Sequence, residues 1–349
     1  MGVAERSSRR NVGTGASTAG ELRRKWLTST CGIVVCAGVC CLLWGSAFPC
    51  IKIGNRLFAI ATGDISSEIL FAGVRFSLSG LLVLMAASLI CKRPLLLHKA
   101  DIAPALVLSL FQTTLQYALF YPGVSMTEGA TASIVEGAGT FFTVLMAALV
   151  FRQERLTQRK VAGCLAGFAG VALISIAGSA SGSASDLSLA NSHALGAALV
   201  LVSTLAAAAS ACLIKAFSAR HDPVLLSGWQ FLLGGTSLAA LGGLFGGHIA
   251  PQTAGAPFLL LYLSLISAVA YSLWSILLKH NSVSRVVIFG FMNPVFGVIL
   301  SALLLSEDPG ASPLQIITAL ALVCTGIVIV NRKPAHAGAK AQCNRNACM

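Results

Sequence analysis

Apolar residues run along this chain in stretches of roughly twenty, separated by short polar, charged or Gly/Ser-rich clusters. The first run opens at Leu27 and reaches Phe48 without a charge. About 20 apolar residues are needed to cross a ~30 Å hydrocarbon layer as helix, whereas a secretory signal has a shorter apolar stretch and a cleavage site. The run therefore reads as an uncleaved spanning helix. The same rule along the chain predicts ten helices, over 27–48, 66–90, 102–122, 127–150, 161–178, 194–217, 224–246, 257–279, 284–305 and 312–331. The expected fold is an all-α polytopic membrane protein.

Charge position tests that count. Lys and Arg collect in loops that stay on the cytoplasmic side of a membrane. With ten spans and the N-terminus inside, 21 of the 24 basic residues fall in cytoplasmic segments. Clusters follow helix 2 (Lys92, Arg93, Lys99) and helix 4 (Arg152, Arg155, Arg159, Lys160), and others lie in the two tails. Lys52 and Arg56 fall outside, and Arg75 lies within helix 2. Nine or eleven spans would scramble this bias, so both termini are expected in the cytoplasm.

Composition narrows the function. Hydrophobic residues make up 56% of the 349 and charged residues 10%, with a mean hydropathy of +0.83, against roughly a quarter charged in soluble proteins. A water-soluble enzyme and a disordered chain are both excluded. The net charge of +12 would suggest nucleic acid in a soluble protein, but here it is explained by topology and no nucleic-acid partner is expected. Most of the 11 cysteines sit inside apolar runs with no CxxC pair, so they read as small apolar residues and no metal site is expected. Walker A, GxGxxG, HExxH and GxSxG patterns are missing, so neither catalytic residues nor a cofactor are expected. A membrane enzyme would have to combine an intramembrane acid with His193 or His248.

An internal repeat gives the chain its organisation. Ile51-Lys52 in helix 1 matches Ile214-Lys215 in helix 6, and Arg75-Phe76 and Gly80 in helix 2 match Gln230-Phe231 and Gly235 in helix 7. Tyr117 in helix 3 matches Tyr271 in helix 8, and Thr140-x-Phe142 in helix 4 matches Pro294-x-Phe296 in helix 9. A five-helix unit thus occurs twice, and an odd number of spans turns the second copy upside down. The expected divisions are a basic tail (1–26), a first repeat (27–178), an outer loop (179–193), a second repeat (194–331) and a C-terminal tail (332–349).

Several residues within the spans carry candidate chemistry. Arg75 is costly to place in a membrane, about 2.5–3.5 kcal/mol on insertion scales. It reads either as a cation for a carboxylate substrate or partner for Glu136, or as an interhelical structural residue. Glu136 reads as a proton carrier or amine contact, or as a helix-start acid near the outer surface. Gln112 and Gln116 share a face of helix 3 beside Tyr117, and in helix 8 Tyr271 and Trp274 form a stripe at i, i+3; these either line a wet cavity or hold helices together. Trp44, followed by Gly45, Ser46 and Pro49, and Asn293-Pro294 in helix 9 both mark places where a helix loses a backbone hydrogen bond. Gly163, Gly167 and Gly170 form a small-residue seam suited to close helix packing or a homodimer contact. Lys52 and Lys215 read as headgroup anchors.

In their order along the chain, these pieces resemble the drug/metabolite transporter superfamily, in particular its ten-helix EamA-type permeases, over roughly residues 27–331. The resemblance rests on Leu43-Trp44-Gly45-Ser46 with Lys52, on Arg75-Phe76, on Glu154-Arg155-Leu156-Thr157, on Gly163 to Gly170, and on Asn293-Pro294-Val295 followed by Glu307. Thr140 stands where the family usually has proline, and one extra residue separates it from Glu154. The resemblance implies a carrier of amino acids or other small metabolites, commonly an exporter, with access alternating between inverted halves. The expected function is therefore secondary transport of a small polar metabolite across the cell membrane, the inner membrane in a bacterium. Its partners would be that substrate and the lipid bilayer, with proton coupling and homodimerisation compatible with the sequence. A non-transporting membrane receptor or small-molecule sensor is the alternative.

Overall fold

A computed structural model describes residues 21–126, 129–177, 187–305 and 312–332. A helical stretch over residues 21–28 precedes the bundle. Its helices are α1 (Thr30–Leu57), α2 (Ile65–Cys91), α3 (Lys99–Met126), α4 (Gly129–Leu145, continued by Met146–Val150) and α5 (Gln158–Ala177). They are followed by α6 (Leu187–Phe217), α7 (Pro223–Leu244), α8 (Ala256–His280), α9 (Val283–Val287 and Met292–Leu305) and α10 (Pro313–Asn331). Eight of them are long and apolar enough to cross a bilayer, and a shorter apolar stretch, Val135–Val150, lies in α4. No strand occurs among the described residues.

Helix boundaries follow local chemistry. Asp64 accepts hydrogen bonds from the Ser67 amide and hydroxyl, which starts α2 and holds the Asp64 carboxyl below its ordinary value. Asp222 caps α7, where Pro223 needs no hydrogen-bond acceptor. One boundary differs from the sequence expectation: α1 runs through Pro49 to Leu57 instead of ending near Phe48. Proline removes a single amide hydrogen bond, and packed neighbours let a membrane helix tolerate that loss.

Two helices are wound more widely than an α-helix. The π-helical turn Met146–Val150 in α4 lies between Thr140 and Glu154, where the first repeat carries one residue more than the 13 that separate Pro294 from Glu307. An i→i+5 turn absorbs one extra residue without ending the helix. The second, Ser109–Leu115, lies in the middle of α3.

The helices pack in a pattern that exchange of halves leaves unchanged. α2 packs along α7 and α5 along α10, while α3 and α4 each pack on α6, and α8 and α9 each pack on α1. Swapping α1–α5 for α6–α10 returns the same set of pairs. Where mates face each other the backbones approach closely: a Cβ on Gly235 would strike the Ser77 backbone of α2, and Gly163 of α5 and Gly326 of α10 each face the other's carbonyl. The glycine seam of α5 is therefore used within the chain, against α10 and the Phe291 ring, which leaves it no role as a dimer face.

The core is lopsided. At the end of the bundle that carries residues 21–28, one continuous apolar cluster joins Ile33, Cys40 and Cys41 of α1 to Val144, Cys212, Leu277, Val286 and Phe289. From mid-bundle toward the other end the apolar contacts divide. One cluster holds Phe58, Phe71 and Leu263, another Ile69, Phe76, Phe231 and Leu238. The buried cysteines fill space as expected and add weak donors: Cys40 to the Ala270 carbonyl at 3.3 Å and Cys41 to the Phe289 carbonyl at 3.2 Å.

Candidate functional site

Midway along the bundle, where α2 and α7 lie against each other, the aromatic rings of both halves meet. Phe76 and Phe231 stack nearly parallel, with centroids 5.4 Å apart and planes at 4°. Phe76 also contacts Tyr117 at 4.6 Å, and Phe231 meets Tyr271 edge-on at 4.9 Å. The circle closes through the Tyr117 and Tyr271 hydroxyls, 3.1 Å apart. Trp44 from α1 adds a wall, its ring 5.0 Å from both Tyr271 and Trp274. Offset and edge-on rings at these spacings attract one another beyond the burial of their area.

Several buried polar atoms of the helices that carry these rings, and of α9, lack partners. Trp44 Nε1, Arg75 Nε, Gln230 Nε2, Ser272 Oγ and Asn293 Oδ1 are buried with no hydrogen bond among the described residues. Leaving such an atom unsatisfied costs about 1–3 kcal/mol, and native structures retain few of them. These five lie toward the middle of their helices. Three of the five are N–H donors, so the complement is a group rich in oxygen.

Arg75 brings a cation to this level. It is only 5% exposed, so it does not snorkel to the headgroups. Its guanidinium lies over the Phe76 ring, 4.4 Å from the centroid. The expected alternative of an Arg75–Glu136 ion pair does not occur in this structure. Glu136 is exposed on α4 in the half of the bundle where the core divides. Both Arg75 and Glu136 are near enough to Tyr117 and Tyr271 to act on them electrostatically.

The remaining sequence candidates are placed less centrally. Gln112 is buried in the π-helical turn of α3 and Gln116 is half-buried just after it. Neither side chain bonds to another helix among the described residues; Gln116 contributes only its carbonyl, which accepts from Ser203 Oγ at 2.8 Å. Asn293 follows the 3-10 turn Ile288–Phe291 that interrupts α9, where Pro294 supplies no amide. In the sequence Phe76, Gln230 and Phe231 serve to align the repeats, and Phe76 to carry the family resemblance, but not as site candidates. Tyr121, 6.2 Å from Tyr117 by ring centroid, was missed, although its i+4 spacing from Tyr117 put it on the same face. Gln230 is held by Thr113, whose hydroxyl donates to Oε1 at 2.9 Å. That bond orients the amide and leaves Nε2 free.

Polar contacts link the helices at the end carrying residues 21–28. Glu154 pairs with Lys160 at 3.2 Å and accepts from the Ser284 amide and hydroxyl at the start of α9, at 3.2 and 3.0 Å. Gln153 donates to the Cys212 carbonyl at 2.8 Å, and His221 meets Asp101 at 2.6 Å. Lys215, expected as a headgroup anchor, instead donates to the Lys279 and Asn281 carbonyls at the end of α8, a favourable place for a cation.

Comparison with known proteins places the chain. Residues 32–176 and again 194–332 match the EamA-like transporter family. An uncharacterized transporter of Archaeoglobus fulgidus is 27% identical over 302 residues, covering 83% of this chain and 95% of that protein. The uncharacterized transporter YvbV of Bacillus subtilis is 28% identical over 299 residues, covering 84% and 89%. A protein of Streptantibioticus cattleyicolor named a probable terminal-alkyne amino-acid exporter is 25% identical over 295 residues, covering 83% and 90%. A solved crystal structure shares the fold with a TM-score of 0.69 at 19% identity, over 87% of this chain and 97% of that one. The chain belongs to the EamA-like transporter family and is a multi-pass membrane protein.

Proposed function

We propose that this member of the EamA-like transporter family is a secondary carrier that exports a small polar metabolite bearing a carboxylate, an amino acid or a related compound. In this reading ten spans form two inverted five-helix halves, 27–178 and 194–331, with both termini in the cytoplasm. Access to the shared site alternates as the halves rock.

One observation carries the reading: three buried N–H donors without partners, one of them on a guanidinium, around an aromatic ring built from both halves. A carboxylate supplies the charge and the acceptors that Arg75, Trp44 and Gln230 lack, and the rings take an apolar side chain. Glu136 is the candidate proton carrier and amine contact, with Gln112 and Gln116 lining the approach. The lopsided core supports a state closed toward the cytoplasm and open outside, because the polar ties and the continuous apolar cluster share the basic end.

The test is uptake and efflux by the purified chain in liposomes, using pooled radiolabelled amino acids and carboxylic acids with and without an imposed pH gradient. The expected result is carboxylate flux that saturates and is lost in Arg75→Ala. Ligand binding without flux under any gradient would overturn the carrier reading in favour of a receptor. Chemical conversion of a pool member would overturn it in favour of an enzyme.

A further inference from the structure

At the basic end of the bundle a cleft of about 370 Å³ opens between the start of α7, the end of α8 and residues 21–28. Arg23, Arg24, Lys279 and His280 line it. Lys279, Arg24, Lys215 and Arg23 all lie near enough to act electrostatically on His280. Neither arginine nor Lys279 has an ion-pair partner among the described residues. The one acid in the lining, Asp222, has its Oδ1 turned to the amides of Val224 and Leu225 at 2.8 and 3.0 Å and offsets only one of the three permanent positive charges of Arg23, Arg24 and Lys279. The excess positive charge around one concavity is self-repelling and favours a further anion.

The remaining lining says which anion. Leu27, Val224 and Ile276 make one wall apolar, which a free inorganic ion has no use for. Lys279 and His280 are the last residues of a long apolar helix and Pro223 is the first of another, so the cleft lies where hydrocarbon gives way to headgroups. Beside it Leu22 and Trp26 stand exposed, Trp26 at 47%, and tryptophan favours that interface. Residues 21–28 are fixed in place there, because Asn281 Nδ2 donates to the Leu27 carbonyl at 3.1 Å.

We propose that this cleft binds the headgroup of an acidic phospholipid. Arg23, Arg24 and Lys279 hold the phosphate, and Leu27, Val224 and Ile276 hold the first methylenes of a chain. The lipid pins the segment that precedes α1 to α7 and α8 of the second half.

The full-length chain is tested in nanodiscs of phosphatidylcholine with and without phosphatidylglycerol, and retained lipid is counted by native mass spectrometry. The wild type is expected to hold phosphatidylglycerol over phosphatidylcholine by roughly tenfold to a hundredfold, since each basic residue near an anionic headgroup adds appreciably to affinity. The triple variant Arg23→Gln, Arg24→Gln, Lys279→Gln should lose that preference. A control of equal charge change at the same end, Lys92→Gln, Arg93→Gln, Lys99→Gln, should keep it. Equal retention of the two lipids by the wild type overturns the site, and so does equal loss in the control, which would mean diffuse surface charge. Displacement of the lipid by excess inorganic phosphate overturns the lipid in favour of a free anion. If the triple variant does not fold, the wild-type preference and the control still decide.

Discussion

The hydroxyls of Tyr117 and Tyr271 lie 3.1 Å apart, and these are the residues that the internal repeat aligns with each other. A residue and its repeat mate touch only where the pseudo-twofold axis passes between them. Phe76 and Phe231 do the same at 5.4 Å. The axis, which for inverted repeats lies in the plane of the membrane, therefore passes between these pairs, at the level of the aromatic ring.

That bond is shared, so its loss should be shared too. Tyr117→Phe and Tyr271→Phe should each cost about 0.5–1.5 kcal/mol, and the double variant no more than the larger single. Thermal unfolding in detergent through a double-mutant cycle measures this, with an expected coupling of ~0.6 kcal/mol as for other intramembrane hydrogen bonds. Additive losses would show that the two hydroxyls act separately.

Arg75→Gln copies the residue that stands at the matching position of the second half, Gln230. The fold should survive, and affinity for carboxylate substrates should fall roughly tenfold to a hundredfold, the worth of a charge-assisted hydrogen bond. Arg75→Lys should recover part of that loss, since it restores charge without the planar fork. Equilibrium binding reads both, and unchanged affinity in Arg75→Gln would make Arg75 structural.

Glu136→Gln holds the side chain neutral at every pH. Substrate exchange at equal pH should continue, while the response of net flux to an imposed pH gradient should vanish. Normal gradient-driven flux in this variant would remove Glu136 from proton coupling.

Packing between α2 and α7 makes a contrasting pair. Gly235→Leu places side-chain atoms where the Ser77 backbone already lies and should abolish folded protein on size-exclusion chromatography. Gly243→Ala, on the same helix with nothing within 4 Å, should be neutral or stabilise by up to about 1 kcal/mol.

Much of this molecule is legible without a structure. Apolar run length and an internal repeat are properties of neighbouring residues and of linear order, and a bilayer turns the first directly into helix, while the repeat returns as two halves of like packing. The same linear order singled out Trp44, Arg75, Tyr117, Tyr271 and Trp274, because polar or aromatic residues in mid-span are rare enough to stand out.

Which of those residues meet is a different matter. The sequence left Arg75 open to pairing with Glu136, but helix packing sets it over Phe76. Lys215 looked like a lipid anchor and instead closes the end of α8; the glycines of α5 suited a dimer and are used against α10. Phe76 and Phe231 looked like ordinary apolar residues until two helices brought them face to face. Helical period tells which face of a helix a side chain occupies, while crossing angle, closeness of approach and the widened turns of α3 and α4 decide what that face touches. Those depend on all ten helices fitting together at once, and only the tertiary structure holds that information.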